Sequence, residues 1–217
     1  AEARGEKFDF FGSAAYGLSL VGIMLGFSKL PHRVGFWLCG AGLILAAGFV
    51  ARERRISFPV LDIQLFLQNR VFAFSNLAAL INYSATFAVG FFISLYLQTV
   101  KGMSAQSAGL IMIAQPGMMT LFSPLAGRTS DRIEPRLVAS IGMAISSAGL
   151  FLLAFLRMAT SLAFVVSSLA VLGFGFALFS SPNTNAVMGS VEKKSFGVAS
   201  ATLATMRLVG QMTSMGM

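Results

Sequence analysis

The feature that most constrains this chain is a succession of long runs without one charged side chain. They cover Phe10 to Ser28, Val34 to Ala51, Val71 to Val100, Gly102 to Gly127, Leu137 to Leu156 and Met158 to Val191. A helix needs about 20 mostly apolar residues to cross a hydrocarbon layer roughly 30 Å thick, because each residue rises ~1.5 Å. The sequence therefore predicts six membrane spans. A seventh begins at Ser195 but meets Arg207 before the sequence reaches Met217. With 56% hydrophobic and 11% charged residues, the 217 residues carry too little polar surface to cover a soluble globule. The fold class is all-α, a polytopic membrane helix bundle with the lipid bilayer as its solvent.

The placement of the basic residues gives the topology. A net charge of +8 would suit nucleic acid if the bases formed a patch, but they lie in short loops between apolar runs, so no nucleic-acid partner is expected. Eleven Lys and Arg fall on one side of the membrane: Arg4, Lys7, Arg52, Arg54, Arg55, Arg70, Arg128, Arg132, Arg136, Lys193 and Lys194. Four, Lys29, Arg33, Lys101 and Arg157, fall on the other. By the positive-inside rule the first side is cytoplasmic. The expected location is a plasma or inner membrane, multi-pass, with the N-terminus in the cytoplasm. The opening Ala1-Glu-Ala-Arg-Gly-Glu-Lys7 mixes acids and bases and does not resemble a secretory leader. It reads as a piece of something longer.

The chemistry of the runs excludes several classes. The single cysteine, Cys39, makes no internal disulfide, and no Cys/His cluster offers a metal site. No span holds paired carboxylates or a Ser/His pair, so neither an enzyme nor a bound cofactor is expected.

In chain order, residues 1–55 read as a cytoplasmic lead-in and two linker membrane helices, rich in Gly, Ala and Ser and turned at Leu30-Pro31-His32. Residues 56–70 read as an amphipathic helix on the cytoplasmic surface. Residues 71–217 read as a bundle cut short in its last helices. Its first span is the most polar. At about 100° per residue, Ser75, Asn82 and Thr86 fall within ~40° of one another, with Asn76 and Tyr83 on the next sector. Such groups face protein or a water-filled cavity, and interhelical hydrogen bonding explains them as readily. Gln115-Pro116-Gly117 predicts a break in the fourth span, with Met112, Met118 and Met119 around it. A second break is expected in the sixth span, from Gly173, Gly175 and Ser180 to Asn185. The candidate cavity residues are thus Ser75, Asn82, Tyr83, Thr86, Gln115, Asn183 and Asn185.

Between the fourth and fifth spans lies a charged turn, Gly127-Arg-Thr-Ser-Asp131-Arg132-Ile-Glu134-Pro135-Arg136. It resembles the loop motif of the major facilitator superfamily, Gly-x-x-x-Asp-Arg/Lys-x-Gly-Arg/Lys-Arg/Lys. Gly127, Asp131, Arg132 and Arg136 match in place, whereas Glu134 and Pro135 stand where Gly and a base are usual. Ser181 to Ala186, Gly197 to Ala201 and Arg207 to Gly210 are similar to late-helix signatures of the 14-helix drug:proton antiporter branch. Phe8 to Gly12 is similar to the start of the extra helix pair of that branch. The resemblance implies the second half of a major facilitator fold preceded by a helical hairpin, with a missing N-terminal half as partner. It implies export of small amphipathic or cationic compounds by proton antiport, with Asp131 in a cytoplasmic gate. A carrier of one metabolite, or a membrane scaffold without substrate, are the alternatives. Arg207 is the one charge close to lipid depth, and snorkelling from the cytoplasmic end explains it at least as well as a site within the bundle does.

Overall fold

The computed structural model describes residues 9–53 and 63–216. Among these residues ten α-helices follow one another, with no strand. Six spans are long and apolar enough to cross a membrane, within a residue or a few of the runs read from the sequence.

Helices α1 (Phe10–Ser28) and α2 (Arg33–Glu53) form the expected hairpin. Asp9 caps α1 by accepting the Gly12 N–H at 2.9 Å. Arg52, in the last turn of α2, closes the open end with two hydrogen bonds to the Asp9 carboxylate, 2.5 and 3.1 Å. Small residues bring the two backbones together, and a Cβ on Gly42 would stand only 2.7 Å from the Ile23 nitrogen.

Of the amphipathic helix expected over 56–70, the structure describes α3 (Ile63–Gln68); Arg54, Arg55 and the rest of 54–62 lie outside the described residues, as do Arg4 and Lys7. Leu65 and Phe66 cover the core beside Phe72, while Leu67 is exposed.

The third span is not one straight helix. It divides into α4 (Arg70–Thr86) and α5 (Val89–Leu95), then a π-helical turn at Tyr96–Val100. No proline causes the division. The Thr86 hydroxyl donates to the Asn82 carbonyl at 2.7 Å, and the Ala88 N–H leaves the helix ladder for the Ser214 hydroxyl at 2.9 Å. Side chains that enter the i to i−4 ladder in this way bend a helix.

The fourth span does break where proline requires it. Between α6 (Ala105–Met112) and α7 (Ala114–Ser130) the helix is interrupted at Ile113. Pro116 has no N–H for the Met112 carbonyl and its ring crowds that oxygen. The break therefore falls ahead of the Gln115–Gly117 position expected from the sequence.

Helix α8 (Pro135–Leu153) leads to α9 (Leu162–Gly189), a continuous helix of 28 residues that contains Pro182. The second break expected there is absent. Gly173 and Gly175 serve close packing instead: a Cβ on Gly175 would meet the Ser146 hydroxyl at 2.7 Å, and one on Gly173 would strike the Gln115 carbonyl. Helix α9 is the centre of the bundle, against α8, α7 and α4.

The last helix, α10 (Phe196–Gly216), has 21 residues, roughly 32 Å at 1.5 Å per residue. Arg207 lies near the middle of this helix. α10 packs on α4, and α1 reaches the bundle through α10. Large apolar side chains such as Trp37, Ile44, Phe74 and Phe151 face outward, while glycines, serines and asparagines are buried. That pattern suits a solvent of lipid, where packing rather than apolar burial joins the helices.

Candidate substrate cavity and the charged turn

Two apolar clusters close the bundle. Phe72, Ala139, Phe179 and Val187 belong to the one nearer the charged turn, which we call the basic end. Ile93, Leu97, Ala108 and Val165 form the other. The polar groups of α4 are turned inward: Ser75, Asn82 and Thr86 are 6%, 4% and 5% exposed. Their shared face is the one read from the helical period.

These groups do not border a single space. Tyr83, Thr86 and Gln115 line a cavity of about 190 Å³ with Phe87, Met119 and Phe176. Ser75 and Asn183 line another of about 440 Å³ at the basic end, with Arg70, Arg136, Ser140 and Phe179. The reason lies along the helix axis. Ser75 and Thr86 share a face but stand roughly 16 Å apart at 1.5 Å per residue. Asn82 is buried between them, lines neither cavity, and its side-chain amide oxygen Oδ1 has no hydrogen-bond partner. The Asn183 amide nitrogen is likewise buried without a partner. Buried amides in that condition are rare and mark places where a polar group is otherwise supplied.

Asn185 belongs to neither cavity. Its Nδ2 donates to the Ser130 hydroxyl at 2.7 Å, and Ser130 donates to the Gly127 carbonyl at 2.8 Å. The sequence-derived cavity residue is thus an anchor of the charged turn. Gly127 lies beside α9, where an added Cβ would be 3.4 Å from the Ser181 hydroxyl. Asp131 ends α7, its N–H bonded to the Gly127 carbonyl at 3.2 Å. Its side chain is exposed and makes no ion pair among the described residues. Arg132 is exposed as well. Glu134 and Pro135, the two departures from the family pattern, have local work. Pro135 takes the first position of α8, where its fixed φ suits a helix start. Glu134 pairs with Arg136, the side chain that lines the larger cavity.

Of the two readings of Arg207, the structure favours the inward one. Its guanidinium points into the bundle, donates from Nη2 to the Thr184 hydroxyl at 2.6 Å and lies over the Tyr83 ring at 5.6 Å from its centroid. Sequence reading missed Ser130, Thr184 and Ser214. Thr202 and Thr205, three residues apart on α10, are buried, whereas Ser214 lies half a turn round the helix from Thr205 and follows no such spacing.

The Major Facilitator Superfamily model matches residues 8–215. Among curated relatives, an uncharacterized transporter of Escherichia coli K12, YebQ, is 30% identical over 78% of this chain and 37% of its own length. The riboflavin transporter RibZ of Clostridioides difficile is 26% identical over 95% of this chain and 45% of its own. The multidrug transporter protein MdtP of Bacillus subtilis is 29% identical over 94% and 39%. The chain therefore spans less than half the length of these relatives.

Proposed function

The chain belongs to the major facilitator superfamily, and from that premise we propose that it forms the second helix bundle of a secondary active carrier that exports small amphipathic compounds by proton antiport. The observation that carries this reading is the pocket of about 190 Å³ where Tyr83, Thr86 and Gln115 stand among Phe87, Met119 and Phe176, in a bundle whose outer face is apolar. Carriers place their sites near the bilayer midplane, where interrupted helices meet. Here both walls are such helices: α4 ends at Thr86, and Gln115 follows the break at Ile113.

In this reading a preceding half of the carrier completes the site, and the two bundles rock about it with the basic end in the cytoplasm of a cell membrane. Asp131 and the turn around it gate that end. Among the described residues the spans hold no acid between their ends, so the proton-binding carboxylate belongs to the other half. Export of drugs is supported by relatives named for multidrug transport. A second reading, a carrier for one metabolite, is favoured by the relative named for riboflavin.

The test uses the full-length carrier in vesicles with an imposed proton gradient. A Thr86→Cys variant should react with a water-soluble thiol reagent, and a transported solute should slow that reaction. Asp131→Asn should lower transport at least tenfold without loss of inserted protein. A thiol at position 86 that never reacts, with solute flux equal to empty vesicles, ends the proposal.

A further inference from the structure

Glycine inside a helix needs a reason, because it forms helices more poorly than any residue but proline. The glycines where the helices of this bundle touch have one. A Cβ on Gly142, Gly149, Gly173, Gly175 or Gly210 would stand under 3.0 Å from an atom of a neighbouring helix. Gly102, in the turn before α6, has a φ of +65° that side chains rarely adopt. Gly90, in the first turn of α5, has neither reason. Its φ lies outside the positive region. The nearest atom to an added Cβ is Cε of Met112, 3.8 Å away, the tip of an adaptable side chain.

What Gly90 does border is the cavity of about 190 Å³, whose wall it shares with Tyr83, Thr86, Gln115, Met119 and Phe176. Other parts of that wall are held in place. Tyr83 and Phe176 stand edge to face, 5.2 Å between centroids, and the Thr86 hydroxyl is bonded to the Asn82 carbonyl at 2.7 Å. The backbone just ahead of Gly90 is held too, because the Ala88 N–H is bonded to the Ser214 hydroxyl of α10 at 2.9 Å. Carbon added at position 90 would therefore disturb no neighbour and would be taken from the space open to a solute.

We propose that Gly90 sets the width of the solute that the carrier accepts: the bare backbone there admits a ring, and a side chain at position 90 would restrict the site to narrow chains. This rests on the transport reading of the same cavity and adds the residue that discriminates between solutes by shape. A single methylene in an apolar pocket discriminates by about tenfold or more, so the effect is large enough to measure.

The test uses the full-length carrier in vesicles, with Cys39 and any other cysteine replaced and Thr86→Cys as the single thiol. N-ethyl, N-benzyl and N-(1-pyrenyl) maleimide, in order of width, report the room beside position 86, with modification rates read by mass spectrometry. Each rate is divided by that of the same reagent on the protein that keeps Gly90, so that partition of the reagent into lipid cancels. Gly90→Val should slow the pyrenyl reagent at least tenfold more than the ethyl reagent, with Gly90→Ala between valine and glycine. Gly40→Val, on α2 where nothing lies within 4 Å of the new atom, should change none of the ratios. Unfolding of the valine variant would raise all three rates together, and Gly90→Ala then decides. Ethidium, a wide fused-ring dye, gives the transport readout under an imposed proton gradient, and Gly90→Val should lower its flux at least tenfold. Ethidium flux with all three reagents slowed equally, or not at all, overturns this inference and leaves the transport reading standing. Graded slowing with ethidium flux equal to that of empty vesicles sinks the transport reading, while Gly90 still sets the width of the cavity. A thiol at position 86 that none of the reagents reaches overturns both.

Discussion

Asn185 of α9 donates to the hydroxyl of Ser130 at the end of α7, 2.7 Å away, and so ties the charged turn to the central helix. Ser130 is 5% exposed, so losing its partner leaves a hydroxyl without water to replace it. Removal of one side of a buried pair costs about 1–3 kcal/mol. Asn185→Ala should lower stability by that amount in chemical unfolding from detergent micelles. A double-mutant cycle with Ser130→Ala should return a coupling of about 1 kcal/mol. Strict additivity of the two substitutions would mean that the turn is held by something else.

Two glycines, alike in the sequence, should respond in opposite ways to alanine. At Gly175 an added Cβ would meet the Ser146 hydroxyl at 2.7 Å and the Gly142 carbonyl at 2.9 Å. Backbone cannot yield there, so overpacking should cost about 1–3 kcal/mol. At Gly109, within α6, nothing lies within 4 Å of the new atom. Gly109→Ala should gain roughly 0.5–1 kcal/mol from helix propensity. Melting temperatures of the two variants should move in opposite directions, and a shared direction would contradict the packing of α8 on α9.

The spans were legible in the sequence because charge-free length is a one-dimensional signal. The inward face of Ser75, Asn82 and Thr86 was legible for a related reason, since angle around a helix follows from residue number. Depth along the axis was the part that a helical wheel discards, and there the single expected cavity separated into two. The break after Thr86 had no proline to announce it. It depends on Ser214, 126 residues from Ala88 in the chain, and a contact so distant leaves no local pattern. Pro182 shows the reverse case, a strong local signal overruled because close packing on α8 and α7 keeps α9 continuous. Arg207 stayed open between two readings because hydropathy locates a charge without saying toward which neighbour it turns.

Lys101 and Arg132 stand at opposite ends of the bundle. Lys101 donates to the carbonyls of Met158 and Thr160 at 2.7 and 2.5 Å, closing the end away from the charged turn. Cysteines placed singly at 101 and 132 should therefore label from opposite sides of sealed vesicles. The cytoplasmic side should expose position 132, by the excess of Lys and Arg there. Labelling of both from one side would break the alternation of the helices between them.

The ion pair that closes the N-terminal hairpin should give it a limited acid range. The Arg52 guanidinium, and after it the Gly12 N–H, hold the Asp9 carboxyl below its ordinary value of 3.8. A carboxyl whose folded pKa is depressed stabilises the fold wherever it is ionised in both states, that is above its unfolded value. That contribution is lost as pH falls through 3.8 toward the lower folded value. Stability should therefore be flat from neutral pH to about 5 and then decline. Glu192, lowered by Lys194, adds to the same acid limb, so the limb alone does not identify Asp9. Asp9→Asn separates the two, because the amide cannot titrate while it still offers an oxygen to Gly12. The variant should be less stable than the wild type at neutral pH, and the gap should narrow below about pH 4 as the wild-type carboxyl takes up its proton. Thermal melting of both proteins between neutral pH and the acid range measures this directly. Curves that remain parallel down the whole range would show that the Asp9–Arg52 pair contributes nothing to holding α1 against α2.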